Sequence, residues 1–485
     1  MVYPISKTLL EKHFSKDVVD IYTELSRKNL YTNPNLVFHP SLRKYQNEGI
    51  QRIILHNSFG IFDQQRLGKT PTILISIQQK QIKNSVFIVA PKSTLVNWEQ
   101  ECNTWINEVS VCRIDSSKYN KQKRKSLYKE NKKIYIMTYN TLSNDIDILP
   151  TVECLIIDEA HRLRNFKGLR SKSSPKFTKD IVQLSYKCKY KYLLTGTPSP
   201  NYPYNIYPIL HIMHPKLFTS YYKFIDYYFE QKEVYIGRNK TIIEPCGFKK
   251  GKDKELQELL NMTSIQRKRK DYMDWLPKID KKFIKIEMDT QEMLWYNELV
   301  TTFEIKDLNI ICQNQLTLLI AARQFTSKIK LKWVLDYIND YENEQIIIVS
   351  MFTSILNLLK EKIPKAKMCI GSTSDKNRKK LQDDFNNKKY NILLANIDVI
   401  KEGMKFEQCN TMIVIDPTLV YTDNEQLEDR IIPTNKEVAA EKEKQQVINL
   451  IIKDSVDEYI YKQLKLKKSS TEIINNFNKG YKKEV

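Results

Sequence analysis

Glycine is scarce in this chain, at 11 of 485 residues, where an average protein carries about 7%. Each glycine present is therefore expected where a side chain is not tolerated. No apolar run approaches the roughly 18 residues of a membrane-spanning helix. The longest, such as QIIIVSMF, have strand length. The opening MVYPISKTLLEKHF has no basic flank leading into an apolar core, so no secretory signal is expected. The cysteines stand apart at 102, 112, 154, 188, 246, 312, 369 and 409, with no CxxC pair. That argues against a zinc site or a disulfide framework and for reduced thiols in an intracellular protein. Acidic residues are outnumbered: 57 Asp and Glu face 78 Lys and Arg, for a formal net charge of +21. The natural partner of such a surface is a polyanion, nucleic acid ahead of membrane. Lys, Asn, Ile and Tyr are abundant, a usage that points to an AT-rich coding sequence.

What is present alternates. Residues 1–40 read as a polar, N-terminal helical extension. From 41 to 215, the runs SVFIVAP, KIYIMTY, ECLIIDE and KYLLTGT read as buried strands of a parallel sheet, with amphipathic helices between them. This is the alternation of a doubly wound α/β domain. Residues 216–325 are rich in aromatic and charged side chains and read as mostly helical from 252 onward. Strand and helix patterns then return over 326–470, in QIIIVSMF, AKMCIG, YNILLAN and TMIVID. The last residues, 471–485, form a polar, basic tail. The length accommodates two or three domains.

Four segments carry chemistry. GIFDQQRLGKT, Gly60 to Thr70, ends like a phosphate-binding loop between a strand and a helix. The strict form GxxxxGK[ST] wants its first glycine at position 63, which holds Asp63; Arg66 fills another slot that is often glycine. In such a loop the N–H groups and helix N-terminus around Gly68 face phosphates. Lys69 reaches the terminal phosphates, and the Thr70 hydroxyl joins the Mg²⁺ shell. Alone, LGKT is a weak signal that more often marks an ordinary helix start. CLIIDEAHRLRN sets Asp158 and Glu159 at the end of an apolar strand, where open α/β sheets bind ligands. Asp158 suits Mg²⁺, directly or through water, and Glu159 suits activation of the attacking water. In LLTGTPSPN, Thr195, Gly196 and Thr197 sit where the γ-phosphate side is sensed. In LRKYQNEGI, beginning at Leu42 with Arg43, Gln46 has the amide fork that reads adenine. Each segment alone is compatible with plain structure; together and in order they indicate ATP hydrolysis.

The order of segments resembles that of the Swi/Snf-related ATPases of helicase superfamily two. LRKYQNEGI resembles the adenine-recognising element. DQQRLGKT resembles the loop that members commonly begin Asp-Glu-Met, so Asp63 is no missing glycine. APKSTLVNWEQE resembles the first DNA-contacting motif, and LIIDEAHRLRN the DEAH-type box. RKRKDYMDWLPKID resembles the basic element before the second lobe. GSTSDKNRKKLQDDFN, EGMKFEQCNTMIVID and EQLEDR resemble later motifs, and QQVINLIIKDSVDEYIYKQLKLKK the final strand and brace helix. A compact, module-free form of this kind resembles phage- or virus-encoded members.

The resemblance implies an α/β fold of two RecA-like parallel-sheet lobes, with helical insertions between them and a C-terminal brace helix. It places the ATP-binding lobe at 41–215, a helical protrusion and linker at 216–325, and the second lobe at 326–470. It implies ATP and Mg²⁺ as ligands, with Arg43, Gln46, Gly68, Lys69, Thr70, Gly403 and Gln426 at the nucleotide. Lys69, Asp158, Glu159 and Arg430 are the expected catalytic set. Lys92, Thr138, Arg378 and Asn396 are the expected DNA-facing set, although each alone fits a solvated surface residue. The implied activity is DNA-stimulated ATP hydrolysis by a monomer that moves along double-stranded DNA. One alternative is a helicase that unwinds or migrates branches; another, of a different class, is a DNA-binding scaffold with little hydrolysis. Two departures favour the scaffold. Arg66 replaces a glycine, and Pro433 stands where the family has a second arginine after Arg430, a role left to Lys436 or another basic residue.

Overall fold

The computed structural model describes residues 33, 35–82, 85–200, 202–235, 241–341, 343–401, 403–433, 436–440, 442, 445–466, 473 and 477. Most of the expected N-terminal extension and all but two residues of the basic tail lie outside this set. The chain divides into two units, Met1–Tyr272 and Met273–Val485.

The first unit is built on β1 (Ser58–Ile61), β2 (Ser85–Val89), β3 (Val111–Ile114), β4 (Ile134–Met137), β5 (Val152–Asp158) and β6 (Tyr190–Leu194). A hairpin, β7 (Phe229–Tyr235) with β8 (Thr241–Phe248), stands apart as its own two-stranded sheet, and the short β9 (Ser264–Ile265) returns to the main sheet. The order is β3-β4-β2-β5-β6-β1-β9, and every pairing is parallel. Alternation along the strands explains why both faces are covered. Phe87, Val89, Leu155 and Ile157 enter one apolar cluster; Val86, Ile88, Cys154 and Ile156 enter another. Among the helices that pack on the sheet are α1 (Lys44–Leu55), α2 (Lys69–Gln79) and α3 (Leu95–Trp105).

The second unit has a six-stranded sheet: β10 (Ile279–Ile286), β13 (Ile346–Ser350), β14 (Lys367–Cys369), β15 (Ile392–Asn396), β16 (Thr411–Val414) and β17 (Gln445–Ile452). Its order is β10-β17-β16-β13-β15-β14, again all parallel. A small antiparallel pair, β11 (Glu304–Ile305) with β12 (Ile310–Ile311), lies outside it. Ile347, Val349, Leu393 and Met412 feed one core, and Ile346, Ile348, Leu394 and Ile413 the other. The long helix α4 (Gln315–Asp340) is tied to the final helix, α5 (Val456–Lys465), by a buried ion pair between Lys330 and Asp457 at 2.7 Å. Ile473 and Phe477 are buried against that final helix, and Tyr459 Oη donates to the Ile473 carbonyl at 2.9 Å. These two tail residues are core, not solvated.

From 252 onward the stretch expected to be mostly helical also holds strands. Helices Lys252–Thr263 and Thr290–Thr302 are separated by β9 and β10, and α4 runs through the expected boundary at 325/326. β10 leaves little apolar signature in the sequence because IDKKFIKI is an edge strand with one half-solvated face. It pairs only β17, and Phe283 on it is exposed. Its lysines mask the period-two signal that apolar residues normally supply. The β7–β8 hairpin is hidden for a similar reason: EQKEVY dilutes the apolar pattern with charge.

Candidate nucleotide site

Three strand ends bring the candidate residues together. Ile61 of β1 and Asp158 of β5 both pair Leu194 of β6, so the three strands finish level. Parallel direction then sends the segments after Ile61, Asp158 and Leu194 out of the same edge of the sheet. These are the Asp63–Gly68 loop, the carboxylate pair and the Thr195–Thr197 turn. Gly196 faces the loop: a Cβ there would meet Gln65 N and Cγ at 3.6 Å, an ordinary contact.

The loop closes on Gly68, which has φ 77° and caps α2. A Cβ at Gly68 would lie 2.1 Å from Gln46 Nε2, so glycine is required here both by conformation and by space. Gln46, 7% exposed, uses its amide on the loop itself. Nε2 donates to the Leu67 and Gly68 carbonyls at 3.3 and 3.4 Å, and Oε1 accepts from Arg43 N–H at 2.8 Å. Arg43 Nη1 donates to Tyr45 Oη at 3.3 Å, and that hydroxyl bonds the Leu67 carbonyl at 3.1 Å. Lys69 Nζ donates to the Asp63 carbonyl at 2.8 Å. Thr70 follows it in the first turn of α2, whose start is also tied back by Thr72 Oγ1 donating to the Gly68 carbonyl at 2.8 Å. Arg66 has φ 74°, a left-handed conformation that glycine adopts without strain. The family's glycine in that slot is thereby explained, and Arg66 carries the strain instead. Its Nη1 is buried.

Asp158 is held from two sides: Oδ2 accepts Trp98 Nε1–H at 2.8 Å, and Oδ1 accepts the Glu159 N–H at 3.0 Å. Burial and the neighbouring Glu159 charge push its carboxyl up to about 6. Glu159 also sits at positive φ, 52°. Tyr139 Oη donates to the Asp158 and Glu159 carbonyls and fixes this strained turn. His161 Nδ1 lies 3.2 Å from Glu159 Oε2 and 3.0 Å from Thr195 Oγ1, and Thr195 Oγ1 accepts the Thr197 N–H at 3.1 Å. A chain of polar contacts thus runs from Glu159 to the Thr195–Thr197 turn. Trp98, Tyr139 and His161 were not singled out from sequence. The Trp-Glu pair of the NWEQE run and the DEAH order were the signals available for the first and last.

A magnesium ion fits this donor set. Two adjacent carboxylates, one with its proton affinity raised by burial, gain from a divalent counter-charge. Among the described residues no group of three or more His, Cys, Asp or Glu side chains could hold a metal. A hard cation here would therefore rely on one or two protein oxygens plus nucleotide phosphate and water, as Mg²⁺ does.

The expected second-unit residues are placed differently from a set of free side chains. Gly403 has φ 79°, again a glycine-requiring turn; its neighbour Glu402 lies outside the described residues. Arg430 is 8% exposed, with Nε donating to the Gln426 carbonyl at 2.9 Å and Nη1 to the Met404 carbonyl at 3.4 Å. Gln426 is buried, and so is Pro433. Of the expected DNA-facing residues, Lys92 is exposed at the head of a 3₁₀ turn before α3. Thr138 caps the helix Tyr139–Asn144 by accepting the Thr141 N–H. Asn396 caps the short helix after β15 and donates to the Met351 carbonyl at 3.0 Å. Arg378 bonds the Gly371 carbonyl at 3.2 Å.

A doubly wound parallel sheet with a Gly-Lys-Thr loop, a carboxylate pair and a threonine turn at one edge defines a phosphate-loop nucleotide-binding protein of the α/β class. The family is narrower. The SNF2-related domain matches residues 45–344, and the helicase conserved C-terminal domain matches residues 329–433. The chain belongs to the SNF2-related family. It is 26% identical over 306 residues to the probable ATP-dependent DNA helicase CHR23 of Arabidopsis thaliana, covering 59% of this chain and 26% of that protein. It is 27% identical over 299 residues to the ISWI chromatin-remodeling complex ATPase ISW2 of Saccharomyces cerevisiae, covering 59% and 24%. The match thus spans about a quarter of the length of these relatives. Among solved structures, the Sulfolobus solfataricus SWI2/SNF2 ATPase core in complex with dsDNA aligns over 93% of this chain and 95% of that one, at 19% identity and a TM-score of 0.41.

Proposed function

We propose that this chain is an ATP-driven motor whose hydrolysis is stimulated by double-stranded DNA and which moves along it. The observation that carries this reading is the meeting of the Lys69 loop, Asp158, Glu159 and the Thr195 turn at one sheet edge, in a member of the SNF2-related family. Gly68, Lys69 and the first turn of α2 hold the phosphates, with Gln46 and Arg43 on the adenine side. Since the Gln46 amide bonds the loop, base recognition and loop position are linked through one side chain. Thr70 and Asp158 would hold Mg²⁺, which when bound would offset phosphate charge. Glu159 accepts the proton of the attacking water. His161 carries the state of Glu159 to Thr195 and Thr197. Arg430, with Gly403 and Gln426 in the second unit, is assigned as the arginine that turnover requires; its guanidinium is held by the Gln426 and Met404 carbonyls.

The +21 charge suits contacts to backbone phosphates, so binding is sequence-independent and weakens with salt. Lys92, Thr138, Arg378 and Asn396 are assigned to that surface; Lys92 is the one most open to it. No helix among the described residues is long and apolar enough to cross a membrane. A monomer working inside a cell is our reading. The two relatives named by sequence, from Arabidopsis and yeast, are eukaryotic and give no support to a phage or viral source.

Phosphate release measured with double-stranded DNA, single-stranded DNA, forks and RNA tests the proposal. Double-stranded DNA should stimulate most, and Lys69→Ala or Glu159→Gln should abolish turnover. A Lys69→Ala protein as active as wild type sinks the site assignment. The second reading is true unwinding. Displacement of a plain strand supports it; displacement of a triplex strand alone supports translocation on duplex.

A further inference from the structure

Asp63 opens the phosphate loop and is 1% exposed. Its two ends serve different partners. The main-chain carbonyl accepts Lys69 Nζ at 2.8 Å, while the carboxylate Oδ2 accepts Arg267 Nη1 at 3.2 Å. The charges of Lys69 and Arg267 both register at the Asp63 carboxyl, so lysine and carboxylate lie within electrostatic reach. A buried carboxylate attracts an ammonium far more strongly than a neutral carbonyl does. A lysine drawn into that pair is withheld from nucleotide phosphates.

Arg267 is fixed beside the carboxylate and bonded to its Oδ2, while Oδ1 is buried without a hydrogen-bond partner. It follows β9, is 9% exposed, and its guanidinium carbon lies 5.4 Å from the Tyr45 ring centre and 5.8 Å from that of Tyr272. Gly49 makes room for it: a Cβ there would lie 3.2 Å from Nη1. The backbone around Arg267 runs along the loop, with Phe62 N–H donating to the Ile265 carbonyl at 2.8 Å and Gln64 N–H to the Arg267 carbonyl at 3.0 Å. Arg269 N–H donates to Gln64 Oε1 at 2.8 Å. Arg52 is a second cation in these surroundings, and its Nη2 bonds the Asn261 and Ser264 carbonyls at 2.5 and 3.1 Å. Arg267 is the cation bonded to the Asp63 carboxylate.

We propose that Arg267 is a positioning residue: it occupies the Asp63 carboxylate so that Lys69 rests on a neutral carbonyl and remains available to nucleotide phosphate. The inference rests on the nucleotide-site reading above. Binding of a fluorescent ADP analogue to the full chain tests it, on protein whose folding is checked by circular dichroism. Arg267→Met should weaken ADP by about tenfold or more, because the freed carboxylate competes for Lys69. Asp63→Asn added to Arg267→Met should recover most of that loss, although it removes one more native contact. Arg267→Lys, which keeps the charge, should stay within about threefold of wild type. A folded Arg267→Met protein that binds ADP normally overturns the proposal. A double variant no better than the single one also overturns it, since Arg267 would then act by packing alone. Lys69→Ala separates the two levels: if it binds ADP as wild type does, the site reading fails first. If Arg267→Met does not fold, Asp63→Asn alone decides, since loss of ADP binding by tenfold in that variant contradicts a competing carboxylate.

Discussion

Trp98→Phe tests how Asp158 is kept ready for a cation. The indole N–H donates to Asp158 Oδ2 at 2.8 Å, and Trp98 is 2% exposed, so water does not replace the bond freely. A hydrogen bond to a buried charged group contributes about 1.5–3 kcal/mol. At about 1.4 kcal/mol per pH unit, its loss raises the carboxyl by about one to two units. Burial and Glu159 already push Asp158 up to about 6, and losing the donor pushes the variant's carboxyl further in the same direction. The sign follows from the charge needed. Mg²⁺ takes the ionised carboxylate, and the missing donor favours the neutral acid. The acid limb of kcat/KM for MgATP, which reports the free enzyme, should therefore move toward neutral pH by about one unit. The defect should be largest near pH 6–7 and should fade above about pH 8.5. Phenylalanine fills most of the indole's space, which limits the packing loss. The assay is DNA-stimulated phosphate release across pH 5.5–9 at several Mg²⁺ concentrations. A uniform drop at every pH, with the limb unmoved, would refute the reasoning and reduce Trp98 to a packing residue.

Three other outcomes follow from the same geometry. Because the folded carboxyl of Asp158 titrates at about 6, above its ordinary value, ionisation costs stability at pH values above that point and costs none once both states are protonated. Asp158→Asn should therefore stabilise the ligand-free protein at pH 7 by on the order of 1–3 kcal/mol in denaturant melts, with the gain vanishing near pH 4; a gain that persists there points to another cause. Gly68→Ala places a methyl 2.1 Å from Gln46 Nε2 at φ 77° and should cost at least about 1–2 kcal/mol from backbone strain alone, together with nucleotide binding; a tight-binding variant would show that the loop conformation differs in the bound state. Arg430→Ala should leave nucleotide binding nearly intact and lower turnover by about 10³-fold or more, whereas unchanged turnover would place the second-unit arginine elsewhere.

The two sheets were legible in the sequence because their central strands are buried on both faces. VFIV, IYIM, CLIID and IIIV announce themselves without any periodicity. The edges were not. VCRI and IDKKFIKI carry solvent-facing polar residues on the outer strands, and nothing local says that they pair at all. The site divides the same way. Lys69, Asp158 and Glu159 lie in local motifs, so position in the chain revealed them. Trp98 and Arg267 act on those motifs across 60 and 204 residues of sequence, and single-chain patterns hold no record of such a pairing. Arg66 is the opposite case: its strangeness was visible as a broken pattern, but only the backbone angle shows that the pattern's glycine answers a left-handed turn.

Pro433 is the departure with the largest consequence, and its surroundings argue that it is not a simple lost side chain. Ile431 is fully buried, Ile432 is nearly so, and Pro433 is buried with them. The preceding turn, Asp429–Ile431, is held by Phe406 N–H donating to the Arg430 carbonyl at 2.8 Å and by Gln445 Nε2 donating to the Ile431 carbonyl at 2.6 Å. This segment has become part of the second unit's core. Restoring the family's residue by Pro433→Arg would bring a guanidinium into that core, and a buried charge without a partner costs several kcal/mol. The variant should therefore lose stability, by about 2–4 kcal/mol in denaturant melts, and gain no turnover. A Pro433→Arg protein that melts like wild type and hydrolyses ATP faster would show that the core had not closed over this position. The departure would then be a missing catalytic group rather than a repacked one.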